Sequence, residues 1–315
     1  MPDGIFYFVL NMSIASCFVI AALLLVRLIK PLPRRVMYPL WALAFFRLTV
    51  PFTLGTSWSL FNYTGNLVRR LITVETVTQV RVPVREELIF TNFIGAAESY
   101  APIEYKTESL RSIFTVGAGV WAVTAGAALL AACVLYALTR AELKKAVRIR
   151  GNIYRSEMLL SPVLLGVFRP KIILPAGLDP NSPDGEMVLR HENIHRRRLD
   201  NLWRTLAVAI VCIHWFNPLV WVMLKAFFSD MECSCDEAAI TKCGAEGRKA
   251  YVSALLRFAE DKRFALSTAF GRSGVRVRIA NVLNYKRMTL AGAVVSAVFL
   301  AAVALALITN PTLRG

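Results

Sequence analysis

His191-Glu192-Asn193-Ile194-His195 is the most informative stretch of this chain, because the sequence contains only three histidines and two of them lie here. On an α-helix, residues four positions apart project from the same face, so both imidazole rings can reach one metal ion. The glutamate beside the first histidine can then act as a base toward a water molecule that the metal polarises. We therefore predict a helix that carries His191 and His195 as metal ligands and Glu192 as the catalytic residue.

The residues around the motif predict where its helix begins and where it lies. Ser182 can cap the helix, and Pro183 suits the first helical position. The acidic Asp184 and Glu186 favour the positive end of the helix dipole. Three arginines at 196–198 follow the second histidine, and such a basic cluster is incompatible with burial at the centre of a bilayer. We therefore expect the motif helix at or below the membrane surface.

The chain as a whole is unusually apolar, with 56% hydrophobic residues and a mean hydropathy of +0.51. Uncharged runs long enough to cross a hydrocarbon core of about 30 Å as a helix occur at 4–26, 113–138, 205–224 and 290–308. A further run at 36–54 is apolar except for Arg47. The composition therefore predicts a mainly α-helical integral membrane protein.

Basic residues in the short connections predict the orientation of these spans. No lysine or arginine precedes Arg27, whereas the following connection contains Lys30, Arg34 and Arg35. We therefore expect the N-terminus outside the cell and the histidine motif on the cytoplasmic side. This topology explains the formal net charge of +16, so we expect no direct binding of nucleic acid.

These signals divide the chain into about four transmembrane helices and one cytoplasmic α+β domain with a small sheet. The expected parts are two transmembrane helices in 1–58, an extracytoplasmic loop in 59–112, a third transmembrane helix in 113–139, the cytoplasmic domain in 140–288, a last transmembrane helix in 289–309 and a short tail in 310–315.

The third metal ligand must come from outside the motif, because a catalytic zinc site usually takes three protein ligands and keeps one open position. Glu232 is our preferred third ligand. If its segment is helical, Asp236 lies one turn beyond it and can accept a bond from the far nitrogen of a ligating histidine. Asp200, Asp230 and Glu237 remain competitors for the third position.

The cysteines give a weaker metal signal. Cys233 and Cys235 are candidates for a pair of thiolate ligands, but a C-x-C spacing is equally typical of ordinary packing. The six cysteines of the chain lie in apolar runs or in the predicted cytoplasmic part, so we expect no disulfide framework.

The choice of Glu232 constrains the apolar run that precedes it. A straight helix over 205–224 would rise roughly 30 Å and carry Glu232 to the opposite membrane face. Pro218 is the residue that can break this helix. We therefore predict a re-entrant or interfacial helical hairpin over 203–228, with His214 as a structural residue of the bend.

A small sheet is predicted between residues 147 and 175, beginning with a hairpin around Arg150-Gly151. Several prolines in this stretch place its later strands at a sheet edge, where an extended peptide can pair with free backbone groups. The candidate substrate-binding residues are Val163, Leu164, Leu165, Gly166 and Val167. The alternative is a sheet that only supports the motif helix.

Four motifs occur together in the chain: S-P-x-x-x-G-x-x-x-P-x-I-x-L-P at 161–175, H-E-x-x-H-x-x-x-x-D at 191–200, W-F-N-P-x-x-W at 215–221 and E-x-x-C-D at 232–236. In this combination the chain resembles, over nearly its whole length, the gluzincin-like peptidase family of the bacterial β-lactam sensor–transducers, the BlaR/MecR type. The resemblance implies His191, His195 and Glu232 as ligands of one Zn²⁺ and Glu192 as general base and acid. Asp200 and Asp236 are our candidates for carboxylates behind the ligands.

The resemblance also implies a location and a set of partners. We expect a multi-pass protein of the bacterial cell membrane that cleaves a cytoplasmic protein in a signal-response pathway. The implied substrates are a BlaI/MecI-like transcriptional repressor and the chain itself, with the Gly- and Arg-rich linker Ala269–Asn281 as a region for self-cleavage. A second copy of the chain is a further expected partner.

Members of the family that sense β-lactams carry a C-terminal penicillin-binding domain after the last span. This sequence ends seven residues after its last apolar run, so we expect either a stand-alone membrane peptidase or a fragment without its sensor. Two other functions stay open: an HtpX-like or prenyl-protein peptidase of quality control, and a non-catalytic membrane receptor stabilised by zinc.

Overall fold

The computed structural model describes residues 2–29, 32–50, 54–56, 108–241, 243–259, 271–285, 292, 298–299, 301–302 and 309–311. Most of the predicted extracytoplasmic loop and most of the predicted last span therefore lie outside the described residues. The predictions for these two segments stay predictions.

The described part is mostly helical, as the sequence predicts. Its helices are α1 (Pro2–Arg27), α2 (Arg34–Thr49), α3 (Glu108–Glu142), α4 (Pro183–Arg198), α5 (Asp200–Ile213), α6 (Pro218–Ile240), α7 (Ala245–Ala259) and α8 (Gly271–Leu283), with a 3₁₀ turn at Leu143–Lys145. Its strands are β1 (Leu54–Thr56), β2 (Val147–Arg150), β3 (Ile153–Ser156), β4 (Val163–Leu165), β5 (Lys171–Pro175) and β6 (Thr309–Pro311).

The chain forms two compact units, one of residues 1–26, 42–124 and 294–315 and the other of residues 27–41 and 125–293. In the first unit, the ring of Phe6 packs against those of Phe114 and Trp121. The same unit contains β1 and β6, which pair in parallel.

Two described helices are long and apolar enough to cross a membrane, namely Ile5–Arg27 of α1 and the segment Phe114–Lys145 that begins in α3. They correspond to the first and third predicted spans. The predicted second span corresponds to α2, which has 16 residues and is shorter than the roughly 20 that a typical crossing requires. The predicted total of four spans therefore rests on the sequence.

The second unit contains a four-stranded mixed sheet in the order β2-β3-β5-β4. The predicted hairpin joins β2 and β3, and Gly151 adopts a φ of 54° in its turn, which glycine tolerates without steric cost. Strand β4 lies at the edge of the sheet, as predicted, but the same prediction is wrong for β5, which lies between β3 and β4. One cluster of buried sheet residues packs against Val188 and Leu189, so the sheet supports α4.

Helix α4 begins as the sequence predicts. The Ser182 hydroxyl oxygen accepts a hydrogen bond from the backbone N–H of Gly185 at 3.0 Å, and Pro183 is the first helical residue. Helix α4 lies between the sheet and a second cluster, in which Met187 and Ile194 contact buried residues of α6, α7 and α8. The motif helix is thus fixed on two sides.

The predicted break in the apolar run is confirmed. Helix α5 ends at Ile213 and α6 begins at Pro218, with the Asn217 side chain accepting a bond from the N–H of Leu219 at 2.9 Å. Helix α6 packs against both α4 and α5. The bend therefore returns the chain toward the motif helix, while its position relative to a membrane stays a prediction.

Buried carboxylates on α6 hold the segment that leads into α2. Asp230 is fully buried and binds Arg27 at 3.0 Å, Arg34 at 3.2 Å and the indole N–H of Trp41 at 3.0 Å. These partners compensate a carboxylate that has lost its contact with water.

Glu237 caps the start of α2 from outside that helix. Its two carboxylate oxygens accept the backbone N–H groups of Arg34 at 3.0 Å and Arg35 at 3.1 Å, which have no partner inside the helix. The first turns of α2 are therefore tied to α6.

One expectation about the C-terminal part needs correction. The stretch Ala269–Asn281 was expected to be a linker, but the chain is helical from Gly271 to Leu283. This helix packs on α6 and α7 and contributes the buried Val282 to the cluster beside α4. Apolar packing outweighs the low helix propensity of its two glycines.

We predict that Gly185→Ala destabilises the second unit, because an added Cβ would overlap the backbone carbonyl oxygen of Asp179 at the start of α4. We expect the free energy of unfolding to fall by about 1–3 kcal/mol. Thermal denaturation in detergent measures this change. Gly177→Ala is the matched control, since no atom lies within 4 Å of the added carbon. Equal unfolding midpoints for the two variants would contradict this packing.

Candidate metal centre on helices α4 and α6

The two motif histidines project from one face of α4, as their spacing predicts. Both residues are buried, and their Nε2 atoms lie 3.1 Å apart. The rings meet edge to face, with centroids 4.7 Å apart. This arrangement directs two nitrogen donors toward one point.

Glu232 of α6 approaches the same point. Its Oε2 lies 3.6 Å from Nε2 of His191, and its Oε1 lies 3.7 Å from Nε2 of His195. Ligand atoms of a tetrahedral zinc ion are about 3.3 Å apart when the metal–ligand bonds are about 2.0–2.1 Å long. The separations between these three donors differ by about 0.2–0.4 Å from that spacing. Arg278 lies beside them, with one guanidinium nitrogen 3.5 Å from Nε2 of His191.

The cluster is accessible from the side of the carboxylate. The Glu232 side chain is 26% exposed, whereas that of His195 is 3% exposed. A catalytic zinc site needs one position open to water or substrate. The partly exposed Glu232 marks the side from which water or substrate would reach the histidines.

A buried carboxylate orients the ring of His195. Its Nδ1 lies 2.6 Å from Oδ2 of the fully buried Asp200, which also accepts a hydrogen bond from the Tyr38 hydroxyl. A carboxylate oxygen accepts a hydrogen bond, so this contact directs the Nδ1–H of His195 toward Asp200 and turns Nε2 toward the cluster.

His191 has an equivalent set of partners. Its Nδ1 lies 2.8 Å from the Tyr251 hydroxyl and 3.2 Å from Oδ1 of Asp236. Tyr251 donates to the same oxygen of Asp236 at 2.7 Å. Arg278 binds both oxygens of Asp236 at 2.7 Å, so the carboxylate behind His191 is fully paired.

Two arginines hold the candidate third ligand. Arg204 binds Oε1 of Glu232, and Arg278 binds Oε2 at 3.2 Å. Burial raises the pKa of Glu232, but the charges of Arg278 and His195 outweigh burial and hold that pKa well below its ordinary value. Glu232 is therefore ionised, as a metal ligand must be.

The electrostatic environment of the histidines favours a cation. Burial lowers the pKa of His195, but Cys235, Glu232 and Asp200 raise it more, and the net pKa lies well above its ordinary value. Burial raises the pKa of Asp236, yet Arg278 brings it to about 2. A metal ion and a proton compete for the same ring nitrogens, so a site that attracts one also attracts the other.

Cys235 is a second candidate for the third ligand. Its Sγ and one ring nitrogen of each histidine lie within 4.8 Å of one another, and its thiol donates to the carbonyl oxygen of His191 at 3.3 Å. Burial raises the pKa of this thiol, but the two histidines outweigh burial and lower it. Cys233 is not part of this group. Of the two cysteines in the C-x-C spacing, Cys235 alone lies close enough to the histidines to bind the same metal ion.

The other predicted residues lie in different places. Glu192 is half-buried next to His191 on α4, and its carboxylate has no hydrogen bond or ion pair within the part of the chain that the structure describes. Asp230 and Glu237 bind the segment that leads into α2, which removes them as competitors for the metal. His214 is buried in the bend between α5 and α6.

The candidate substrate strand is tied to the helices. The side-chain amide of Asn201 donates to the carbonyl oxygens of Leu164 at 2.8 Å and Gly166 at 2.9 Å. These two acceptors are therefore occupied, and a peptide that pairs with β4 would use the remaining groups. Peptide binding at this edge stays a prediction.

The sequence indicated the two histidines, Glu232 and the two aspartates behind the histidine rings, but not the residues that bind these carboxylates. Tyr38, Arg204, Tyr251 and Arg278 reach the cluster from four different helices, and no local motif marks any of them.

Comparison with known proteins adds an independent finding. A family model described as BlaR1 peptidase M56 matches residues 7–282, a range that includes the whole described cluster. The regulatory protein BlaR1 of Bacillus licheniformis is 34% identical over 139 residues, which cover 42% of this chain. The aligned part spans 23% of that relative.

We predict that the full-length protein binds one zinc ion. Glu232→Gln is expected to weaken this binding by about tenfold or more. Removal of a residue that only supports a ligand already costs about 10–100-fold in metal affinity. Affinity is measured by competition with a chromophoric chelator. Glu246→Gln is the matched control, since this exposed residue pairs with Lys249 and, among the residues that the structure describes, does not contact the cluster. Loss of zinc in Cys235→Ser, with retention in Glu232→Gln, would assign the third ligand to the thiol.

Proposed function

The chain belongs to the BlaR1 peptidase M56 family, and we propose that it is a membrane metallopeptidase whose zinc ion is held by His191, His195 and Glu232. The observation that carries this proposal is the meeting of two Nε2 atoms and one carboxylate at separations of 3.1–3.7 Å. The peptidase family supports proteolysis, and the donor set matches the ligands of catalytic zinc.

A zinc ion at this position supplies Lewis-acid polarisation of a peptide carbonyl and of a water molecule. Asp200 and Asp236 hold the far nitrogens of the two histidines, so that both Nε2 lone pairs keep their direction. Arg204 and Arg278 hold Glu232 in its place beside them. These residues preorganise the donors before substrate arrives.

Glu192 is the proton carrier of the proposed reaction. It lies directly after His191 on the same helix, and its carboxylate is not engaged elsewhere in the described residues. In the proposed reaction it takes a proton from the attacking water and passes it to the leaving amine of the cleaved peptide bond. An unpaired carboxylate is suited to this role, because a salt bridge would hold it away from the water.

The proposed substrate is a cytoplasmic protein, because the basic residues of the short connections favour a metal centre on the cytoplasmic side. The relative from Bacillus licheniformis carries the name of a regulatory protein, which favours regulated proteolysis over general quality control. We therefore propose a transcriptional repressor of the BlaI/MecI kind as the first substrate to test. Helix α8 offers no extended stretch for self-cleavage, so the chain itself is a weaker substrate candidate.

We predict that Glu192→Gln abolishes proteolysis while zinc binding is retained, because the variant keeps all three proposed ligands. Loss of a general acid–base group typically lowers rates by about 10²–10⁴-fold. Cleavage of casein and of a purified repressor is measured with the full-length protein in nanodiscs.

Glu186→Gln is the control for this experiment, since it changes an exposed acid on the same helix and should leave both activities intact. Full activity of the Glu192 variant would overturn the proposed mechanism. Zinc binding without any cleavage by the unaltered protein would favour a receptor stabilised by metal.

A further inference from the structure

Both histidines of the metal centre are supported in the same way. Behind each ring lies a fully buried aspartate, and each aspartate is bound by one tyrosine hydroxyl and one arginine. For His191 these groups are Asp236, Tyr251 and Arg278, which belong to α6, α7 and α8. This half of the support lies within the C-terminal part of the chain.

The other half includes a residue from far earlier in the sequence. Asp200 receives the hydroxyl of Tyr38 on Oδ1 at 2.7 Å and pairs with Arg198 at 3.4 Å. The Arg198 guanidinium lies 4.3 Å from the centre of the Tyr38 ring, which also stacks on Phe227 with centroids 5.6 Å apart. The phenol is thus held in one orientation.

We propose that Tyr38 is a positioning residue for the His195 ligand, so that the first turns of α2 are part of the metal centre. This inference rests on the proposed function. Asp200 is completely buried, so loss of the hydroxyl leaves one carboxylate oxygen short of a partner that water cannot replace. The carboxylate then turns to recover bonds, and the hydrogen bond to Nδ1 of His195 loses its geometry.

The position of Tyr38 is fixed by contacts one helical turn earlier. The backbone N–H groups of Arg34 and Arg35 bind Glu237, and the Arg34 side chain binds Asp230. Tyr38 follows Arg34 by four residues and therefore lies above it on the same face. If this part of α2 shifts along α6, these contacts break and the Tyr38 hydroxyl moves away from Asp200. The position of α2 on α6 therefore affects the geometry of the His195 ligand.

Tyr38→Phe tests this role, because phenylalanine keeps the ring between Arg198 and Phe227 and removes only the hydroxyl. We expect the full-length protein to bind zinc about tenfold more weakly, the lower end of the effect of removing a supporting partner. Tyr285→Phe is the matched control. It also removes a tyrosine hydroxyl bound to the α2 segment, at 2.6 Å from Arg35, but this hydroxyl touches neither aspartate.

A double-mutant cycle separates positioning from general stability. If Tyr38 acts through Asp200, the change Tyr38→Phe adds less than about a twofold loss of affinity in an Asp200→Asn background. Independent, additive losses would overturn the proposal, as would equal zinc affinities of the Tyr38 and Tyr285 variants. Unfolding midpoints without zinc show that each variant is folded.

Nitrogen-15 NMR of the histidine rings gives a second readout that does not depend on affinity, since the chain has only three histidines. Tyr38→Phe is expected to shift the Nδ1–H signal of His195 and not that of His191, and Tyr251→Phe the reverse. A shift of both signals, or of neither, would overturn the proposal. If Tyr38→Phe binds zinc normally and its His195 signal is unaltered, only the role of Tyr38 is refuted. If the unaltered protein binds no zinc, both the role of Tyr38 and the proposed function are refuted.

Discussion

The reversal of the chain between Ile213 and Pro218 is the constraint on which the metal centre depends. Without it, an uninterrupted helix would carry Glu232 roughly 30 Å away from the histidines, about the thickness of a hydrocarbon core. With it, α6 runs back along α4 and presents its carboxylate to both Nε2 atoms. Proline cannot supply the backbone N–H that a continuous helix needs, and Asn217 caps the new start. A local break in the backbone thus brings the distant donor to the site.

Buried ion pairs contribute both to the fold and to the arrangement of the metal centre. Asp200, Asp230, Asp236 and Glu237 are all buried, and arginines pair with each of them. Removing one partner of a buried ion pair typically costs about 3–5 kcal/mol, because the remaining charge is left without water or a counter-ion. The Arg278–Asp236 pair both holds α8 on α6 and fixes the carboxylate behind His191, whereas the pairs of Asp230 and Glu237 hold the start of α2 on α6. Stability and metal geometry are expected to change together when these pairs are altered.

The features that could be predicted from the sequence are those that depend on residues close together in the chain. The i, i+4 histidines, the cap at Ser182, the break at Pro218 and the strands between residues 147 and 175 all depend on neighbours in the chain. Tyr38 and Arg278 were missed because their roles depend on contacts across more than 40 residues. The Gly- and Arg-rich composition of Ala269–Asn281 predicts a linker, and this prediction is wrong because α8 is stabilised by packing on α6 and α7. Its own sequence does not reveal that packing surface.

X-ray absorption at the zinc edge tests the central claim most directly, because it identifies the atoms bound to the metal in the full-length protein. The proposed site predicts only nitrogen and oxygen neighbours at about 2.0–2.2 Å, from His191, His195, Glu232 and solvent. A sulfur neighbour at about 2.3 Å would place Cys235 on the metal and contradict the assignment of Glu232.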